Sequence, residues 1–430
     1  MIKPLVIENA RIVDPASGRD SAGAVLVKDG KFADFSTGAA KGLPEGGTRL
    51  DARGAVVAPG LIDMRVFTGE PGREYRETLA TASAAAASGG VTSFMVMPDT
   101  HPAIDDGALV DFLIRRAEAT AKVNVLPAAA ITKGLAGEEI TEFGLLKEAG
   151  AICFTDGRKS IQSAALLRAA FTYAANFDMP IAHHVAEHSL VGDGVVNEGL
   201  LATGLGLKGI PLEAETIPLM RDLQLAALTG VRYHAAQISC GASVEFMARA
   251  RQGKGRISCG VSINNLALNE NDIGSYRTFF KLSPPLRSED DRQALIEGLR
   301  TGAIDVIHSD HDPKDSEVKR RPFAEASDGA IGLETMLAAA LRLVHNGDVD
   351  LLTLLRAMTS RPAEILGLNA GRLAVGAPAD FIVLDLDYPW VVDEKRLLSR
   401  SRNTTFEGAR LSGKVLHTYV AGRPVFSHED

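Results

Sequence analysis

Side chains able to hold zinc stand in four separated segments of this chain. Asp156 lies in F-T-D-G, His183 and His184 in A-H-H-V-A-E, His234 in Y-H-A-A-Q-I-S, and Asp310 and His311 in S-D-H-D-P. Zinc takes neutral imidazole, thiolate or carboxylate as ligand. In V-V-A-P-G-L-I-D-M-R-V-F the positions that draw attention are Arg65 and Phe67, and neither can ligate. A guanidinium has no lone pair to give and a phenyl ring has none. The three cysteines, Cys153, Cys240 and Cys259, sit in apolar strand-like contexts and read as small core residues. Bland readings stand beside the chemical ones: Asp310 and His311 as a hydrogen-bonded pair closing a loop, His184 as a satisfied polar residue at a strand end, and His234 as a core histidine.

The elements that must position these residues are legible as a pattern. The middle of the chain alternates short apolar runs with Ala- and Leu-rich stretches, which is the signature of repeated βαβ units. Eight runs read as buried parallel strands: 61–67, 91–97, 122–128, 151–154, 179–184, 231–238, 256–261 and 304–309. The first helix, R-E-T-L-A-T-A-S-A-A-A-A-S, stops at Gly89-Gly90. Eight such units predict a (β/α)8 barrel, whose site lies at the C-terminal ends of its strands. Strand patterns also fill both ends of the chain, with Asp29-Gly30 as a hairpin turn. The expected organisation is a small β-sandwich built from 1–55 and 366–430 around a barrel at 56–365.

Composition sets the class. Of 430 residues, 46% are hydrophobic and 23% charged, and the net charge of −8 argues against a nucleic-acid partner. The Lys319–Arg321 run reads as a solvated loop. The cysteine usage fits a reducing compartment. No apolar run approaches the ~18 residues of a membrane helix, and the N-terminus lacks the apolar core of a signal peptide. A cytoplasmic protein with no membrane partner is expected.

The motifs resemble those of the dihydroorotases in the amidohydrolase superfamily, over nearly the whole chain. Val56–Thr78 is similar to the first-strand motif P-G-x-I-D-x-H-x-H-x-R-E-P-G, V-M-P-D-T at Val96–Thr100 to M-P-N-T, and S-D-H-D-P to S-D-H-x-P. F-T-D-G, K-L-S-P-P-L-R-S-E-D-D-R at Lys281–Arg292 and I-G-L-E-T at Ile331–Thr335 add to the likeness. The resemblance is closest to the class that works in complex with aspartate carbamoyltransferase. It implies a metal site made from the first-strand histidine pair, an aspartate after strand four, histidines after strands five and six, and an aspartate after strand eight that also acts as base. Carried over, those positions are Arg65 and Phe67, Asp156, His184 (His183 less so), Gln237 and Asp310. The pair and the sixth-strand histidine are thus replaced. The family's substrate-gripping arginine is Gly69, its M-P-N-T asparagine is Asp99, and I-N-N-L-A-L-N-E around Asn265 stands where relatives show P-H-H-L. With Asp99, Gly69 and Asn265, His311 completes the expected substrate pocket, while E-P-G at Glu70–Gly72 and P-P-L-R at Pro284–Arg287 are expected to shape loops.

Three readings follow. The first is a catalytically degenerate dihydroorotase-like protein of pyrimidine biosynthesis, without cofactor, homo-oligomeric and serving as an assembly subunit for aspartate carbamoyltransferase. The second is an active dihydroorotase or other cyclic amidohydrolase with one Zn on Asp156, His184 and Asp310, the last as base. The third is a small-molecule binding protein with Arg65 as anion anchor. A permanent positive charge at Arg65 repels a dication, so Arg65 is expected to pair with Asp156 or Asp310 instead.

Overall fold

A computed structural model of the chain describes residues 3–36, 46–253 and 255–428. Residues 37–45, part of the N-terminal segment expected to be β-rich, lie outside the described residues. The eight apolar runs form the strands Leu61–Val66, Val91–Val96, Asn124–Ala129, Cys153–Phe154, Pro180–His183, Arg232–Ala235, Ile257–Ser262 and Val306–His308. They pair in sequence order. The ring is drawn together where the Phe67 amide donates to the His311 carbonyl at 2.8 Å and Val66 bridges His311 in parallel. Helices between the strands cover the outside, giving the (β/α)8 architecture.

Alternation along each strand separates two cores. Ile62, Met64, Met95, Met97, Ala128, Cys153, Ala182, Ala236 and Val306 fill the barrel interior, with Ala363 and Leu366 of helix Ser360–Leu366 packed against them. Leu61, Phe94, Phe154, Ile181, Tyr233, Val261 and Ile307 belong to the layer between strands and helices. The outer layer also buries Asp222, whose carboxylate accepts the Tyr233 hydroxyl at 3.1 Å.

The two ends of the chain meet in one sheet. Its order is Arg423–Ser427, Arg410–Val420, Phe381–Val391, Val56–Pro59, Leu5–Asp14, Arg19–Lys28 and Lys31–Ser36, with Thr48–Asp51 also on Leu5–Asp14. The join is the antiparallel pairing of Val56–Pro59 with Phe381–Leu384. There Val56, Ala58, Ile382 and Leu384 face the barrel core, while Val57, Phe381 and Val383 face a second core with Phe32 and Tyr419. Phe381 and Tyr419 stack with centroids 4.6 Å apart. The chain enters the barrel through Gly60, where a Cβ would lie 2.1 Å from Thr92 Oγ1, so no larger residue fits without movement. No helix among the described residues is long and apolar enough to cross a membrane.

Cys153, Cys240 and Cys259 are buried and free, and burial pushes each thiol up to about 12. At pH 8 the folded thiols should therefore react with a disulfide reagent about 10³-fold more slowly than free cysteine. Denaturant should expose all three to fast reaction, and rapid labelling of the native chain would contradict this packing.

Candidate functional site

The mouth of the barrel holds a buried lattice of opposite charges. A shift in strand register between Asp63 and Val66 lets both Met64 and Arg65 turn inward, where strict alternation would expel one. Asp63 pins this bend: its carboxylate accepts the Arg65 amide (3.0 Å) and the Ser309 amide (3.1 Å), tying the first strand to the eighth. Its burial pushes its pKa up to about 6. Arg65 is only 2% exposed, and its Nε donates to Asp310 Oδ1 at 2.9 Å. Asp310 meets it from a left-handed backbone conformation, φ 51°, which is uncommon outside glycine.

Phe67 offers its ring to two guanidiniums. Arg65 lies 5.1 Å from its ring centroid and Arg158 3.8 Å, within cation–π range. Arg158 in turn donates to Asp312 Oδ2 at 2.9 Å, and its amide donates to Asp99 Oδ2 at 3.1 Å. Lys314 reaches Asp312 Oδ1 at 2.9 Å. Three cations (Arg65, Arg158, Lys314) thus face three carboxylates (Asp99, Asp310, Asp312). Burial raises Asp310 and Asp99 above the usual carboxylate range against the pull of these cations. These six groups balance one another's charge.

Asp156 is engaged elsewhere. It accepts the amides of Ile131 (2.8 Å) and Thr132 (3.0 Å) and the Thr132 hydroxyl (2.5 Å). His183 bonds Asp222 Oδ2 through Nδ1 at 2.5 Å and accepts the Ile161 amide at Nε2. His184 is buried with Nδ1 unpartnered, and burial, then the charge of Arg65, holds it far below its ordinary value, hence neutral. Gln237 donates to Asn265 Oδ1 at 3.3 Å and leaves its own carbonyl oxygen unpartnered. His308, at the end of the eighth strand, is buried with both ring nitrogens unpartnered.

These residues do not fit a metal as they stand. Among the described residues, no three His, Cys, Asp or Glu side chains come together in a way that could hold an ion. Asp156, His184 and Asp310 are not gathered into one donor set: Asp156 serves backbone amides and Asp310 serves Arg65. A dication ~4 Å from a guanidinium would meet about 8 kcal/mol of repulsion at an effective dielectric constant of about 20.

The remaining expectations sort cleanly. Of the two carboxylates offered to Arg65, Asp310 takes it. Asp310 and His311 are not a pair: His311 accepts the Gly332 amide at Nδ1 (3.3 Å), and its Nε2 lies 3.4 Å from Glu77 Oε2. His234 is a core histidine bonded to Ser258 Oγ at 2.9 Å. At Gly69 a Cβ would sit 1.9 Å from the Arg73 carbonyl oxygen, so this loop packs where the family's arginine would need room. Asp99 is folded over Gly157, whose added Cβ would lie 1.4 Å from Asp99 Oδ1. Glu70 and Arg287 shape loops: Glu70 accepts the Leu79 amide and pairs with Arg116, while Arg287 bonds Ser239, Asn197 and the Ile210 carbonyl. Arg158, Asp312 and Lys314 were not read from the sequence as site residues. Their signal was charge directly after two predicted strand ends, in D-G-R-K and D-H-D-P-K.

Removing one member of a buried pair strands the other, at about 3–5 kcal/mol. Arg65→Met should therefore lose that much stability by denaturant titration, and Arg65→Met/Asp310→Leu should recover most of it. Additive losses in the double variant would show that the two side chains are not coupled.

With this geometry in view, the likeness to known proteins is informative. The Dihydro-orotase-like family matches residues 54–243, and the Amidohydrolase family matches residues 297–426. A dihydroorotase of Anaeromyxobacter dehalogenans is 42% identical over 428 residues, covering 99% of this chain and 98% of that protein. A dihydroorotase of Citrifermentans bemidjiense is 40% identical, covering 98% and 99%. Among solved structures, the L-hydantoinase (dihydropyrimidinase) from Arthrobacter aurescens superposes with a TM-score of 0.90 at 26% identity, covering 100% of this chain and 97% of that one. The dihydropyrimidinase from Brevibacillus agri, at 19% identity and TM-score 0.85, shares the fold. Full-length identity at this level, on an amidohydrolase barrel joined to a sheet built from both termini, makes the chain a member of the dihydroorotase family.

Proposed function

We propose that this chain is a catalytically degenerate, dihydroorotase-like protein that serves as an assembly subunit for aspartate carbamoyltransferase. Opening or closing a cyclic amide such as dihydroorotate needs a hydroxide at neutral pH and a polarised carbonyl, both ordinarily supplied by a metal. The observation that carries the reading is the buried Arg65–Asp310 pair, which occupies the carboxylate a general base would need. Substrate positions point the same way, since Gly69 offers no side chain and Asp99 is committed to Arg158.

A barrel kept without its chemistry is kept for its surface. Helix Glu213–Thr229 turns Ile217, Met220 and Leu228 outward, and Leu200 is almost fully exposed nearby in sequence. Ile217 and Met220, three residues apart, share one side of that helix, and the reading places a protein partner there. The reading expects co-elution with the carbamoyltransferase from the same cell in size-exclusion chromatography, weakened by Ile217→Asp/Leu228→Asp. Separate elution of the two wild-type chains would contradict it.

A second reading is an active dihydroorotase, interconverting dihydroorotate and N-carbamoyl-L-aspartate with a single metal. It draws on the unpartnered His184 Nδ1 and on the names of the relatives. The two part on a direct assay. The degenerate reading expects no dihydroorotate turnover above buffer with zinc present, whereas turnover that disappears in Asp310→Ala would establish the second.

A further inference from the structure

Of the Lys319–Arg321 run, expected as a solvated loop, Arg320 and Arg321 are exposed and Lys319 is not. The Lys319 ammonium donates to the Thr278 carbonyl at 3.0 Å, fastening the loop after the eighth strand to the one after the seventh. With Arg400 and Arg402, Arg320 and Arg321 line a cleft of about 800 Å³ whose wall also includes Lys314 from the barrel-mouth lattice.

The charge of this cleft is unlike that of the chain around it. Two of its acids are already committed, Glu407 to Arg277 and Asp315 to Arg76 at 3.5 Å. Among the described residues no carboxylate pairs with Arg320, Arg321, Arg400 or Arg402, so four guanidiniums face one remaining acid, Glu394. That surplus sits in a chain of net charge −8. Like charges repel one another, and an anion seated among these guanidiniums would offset that repulsion.

Two tyrosines give the cleft a second character. Tyr75 and Tyr276 line it with about half of each residue exposed, 55% and 47%. Tyr276 is held in a left-handed backbone conformation, φ 63°, and its hydroxyl donates to the Leu205 carbonyl at 2.7 Å. A bulky residue at positive φ is a genuine outlier, and such strain clusters at ligand clamps.

We propose that this cleft binds a small molecule carrying two or more linked phosphate groups. Guanidiniums engage phosphate oxygens two at a time, which makes arginine the residue of choice for this group. The volume is that of a small-molecule site. Its walls come partly from the loops after strands seven and eight, where (β/α)8 barrels frequently build phosphate sites. The exposed tyrosines offer faces to a flat ring, should the phosphates belong to a nucleotide. The inference goes beyond the proposed function and is independent of it, because binding here needs neither a metal nor turnover.

Isothermal titration of the full chain at low salt, with adenosine triphosphate and with inorganic tripolyphosphate, tests the site. A dissociation constant below about 100 μM is expected for at least one probe. Tighter binding of the nucleotide identifies a nucleotide ligand, and equal binding identifies the polyphosphate group alone. Arg320→Ala/Arg321→Ala and Arg400→Ala, at exposed positions, should weaken binding about tenfold or more while leaving the melting temperature unchanged. No heat with either probe at millimolar concentration, or full affinity in both variants, would overturn the proposal.

Discussion

A guanidinium buried in a barrel mouth must be neutralised where it lies, and meeting that demand organises everything around Arg65. The register shift after Asp63 turns the side chain inward, and Asp63 holds the bend by accepting amides from both the first and eighth strands. Asp310 supplies the counter-charge from a left-handed backbone that few residues adopt. The Phe67 ring lies within cation–π range of both Arg65 and Arg158, so its face adds to the stabilisation of both cations. Arg158 needs Asp312 and Asp99, and Asp312 carries Lys314. Each charge accounts for the next, and the same segment closes the barrel through the Phe67–His311 hydrogen bond.

Fold and chemistry respond to substitution on different scales. The barrel rests on many buried apolar side chains, a kind of core that tolerates volume-conserving exchange, and the terminal sheet adds a second core through alternation in Val56–Pro59 and Phe381–Leu384. Metal chemistry rests on a few donors, and exchange of two or three abolishes it. A family likeness of about 40% identity along the whole chain can therefore coexist with a mouth arranged around an ion pair.

All eight barrel strands were legible, because a parallel strand buried on both faces reads as a short apolar run whatever its tertiary partners. The meeting of the two termini followed from their alternating patterns. The site was legible by position more than by partner. A buried charge demands a partner, so the sequence offers Arg65 two carboxylates, Asp156 and Asp310, and Asp310 takes it. Asp156 was equally plausible from sequence and is instead saturated by the amides of Ile131 and Thr132, backbone groups that no side-chain motif reveals. Arg158, Asp312 and Lys314 escaped notice because their meaning depends on two strand ends, 154 residues apart, coming together. The burial of Lys319 escaped for the same reason: a K-R-R run looks solvated until a neighbouring loop offers carbonyls to its ammonium.

On the reading proposed above, Arg65 stands in for a metal's charge. Zinc content per chain, measured by elemental mass spectrometry after purification with zinc present and brief desalting, tests this most directly. The account predicts a value near zero, with the Arg65–Asp310 pair intact. A value near one or above would contradict it, because an ion could enter only by displacing Arg65 from Asp310 and gathering donors that the structure keeps apart.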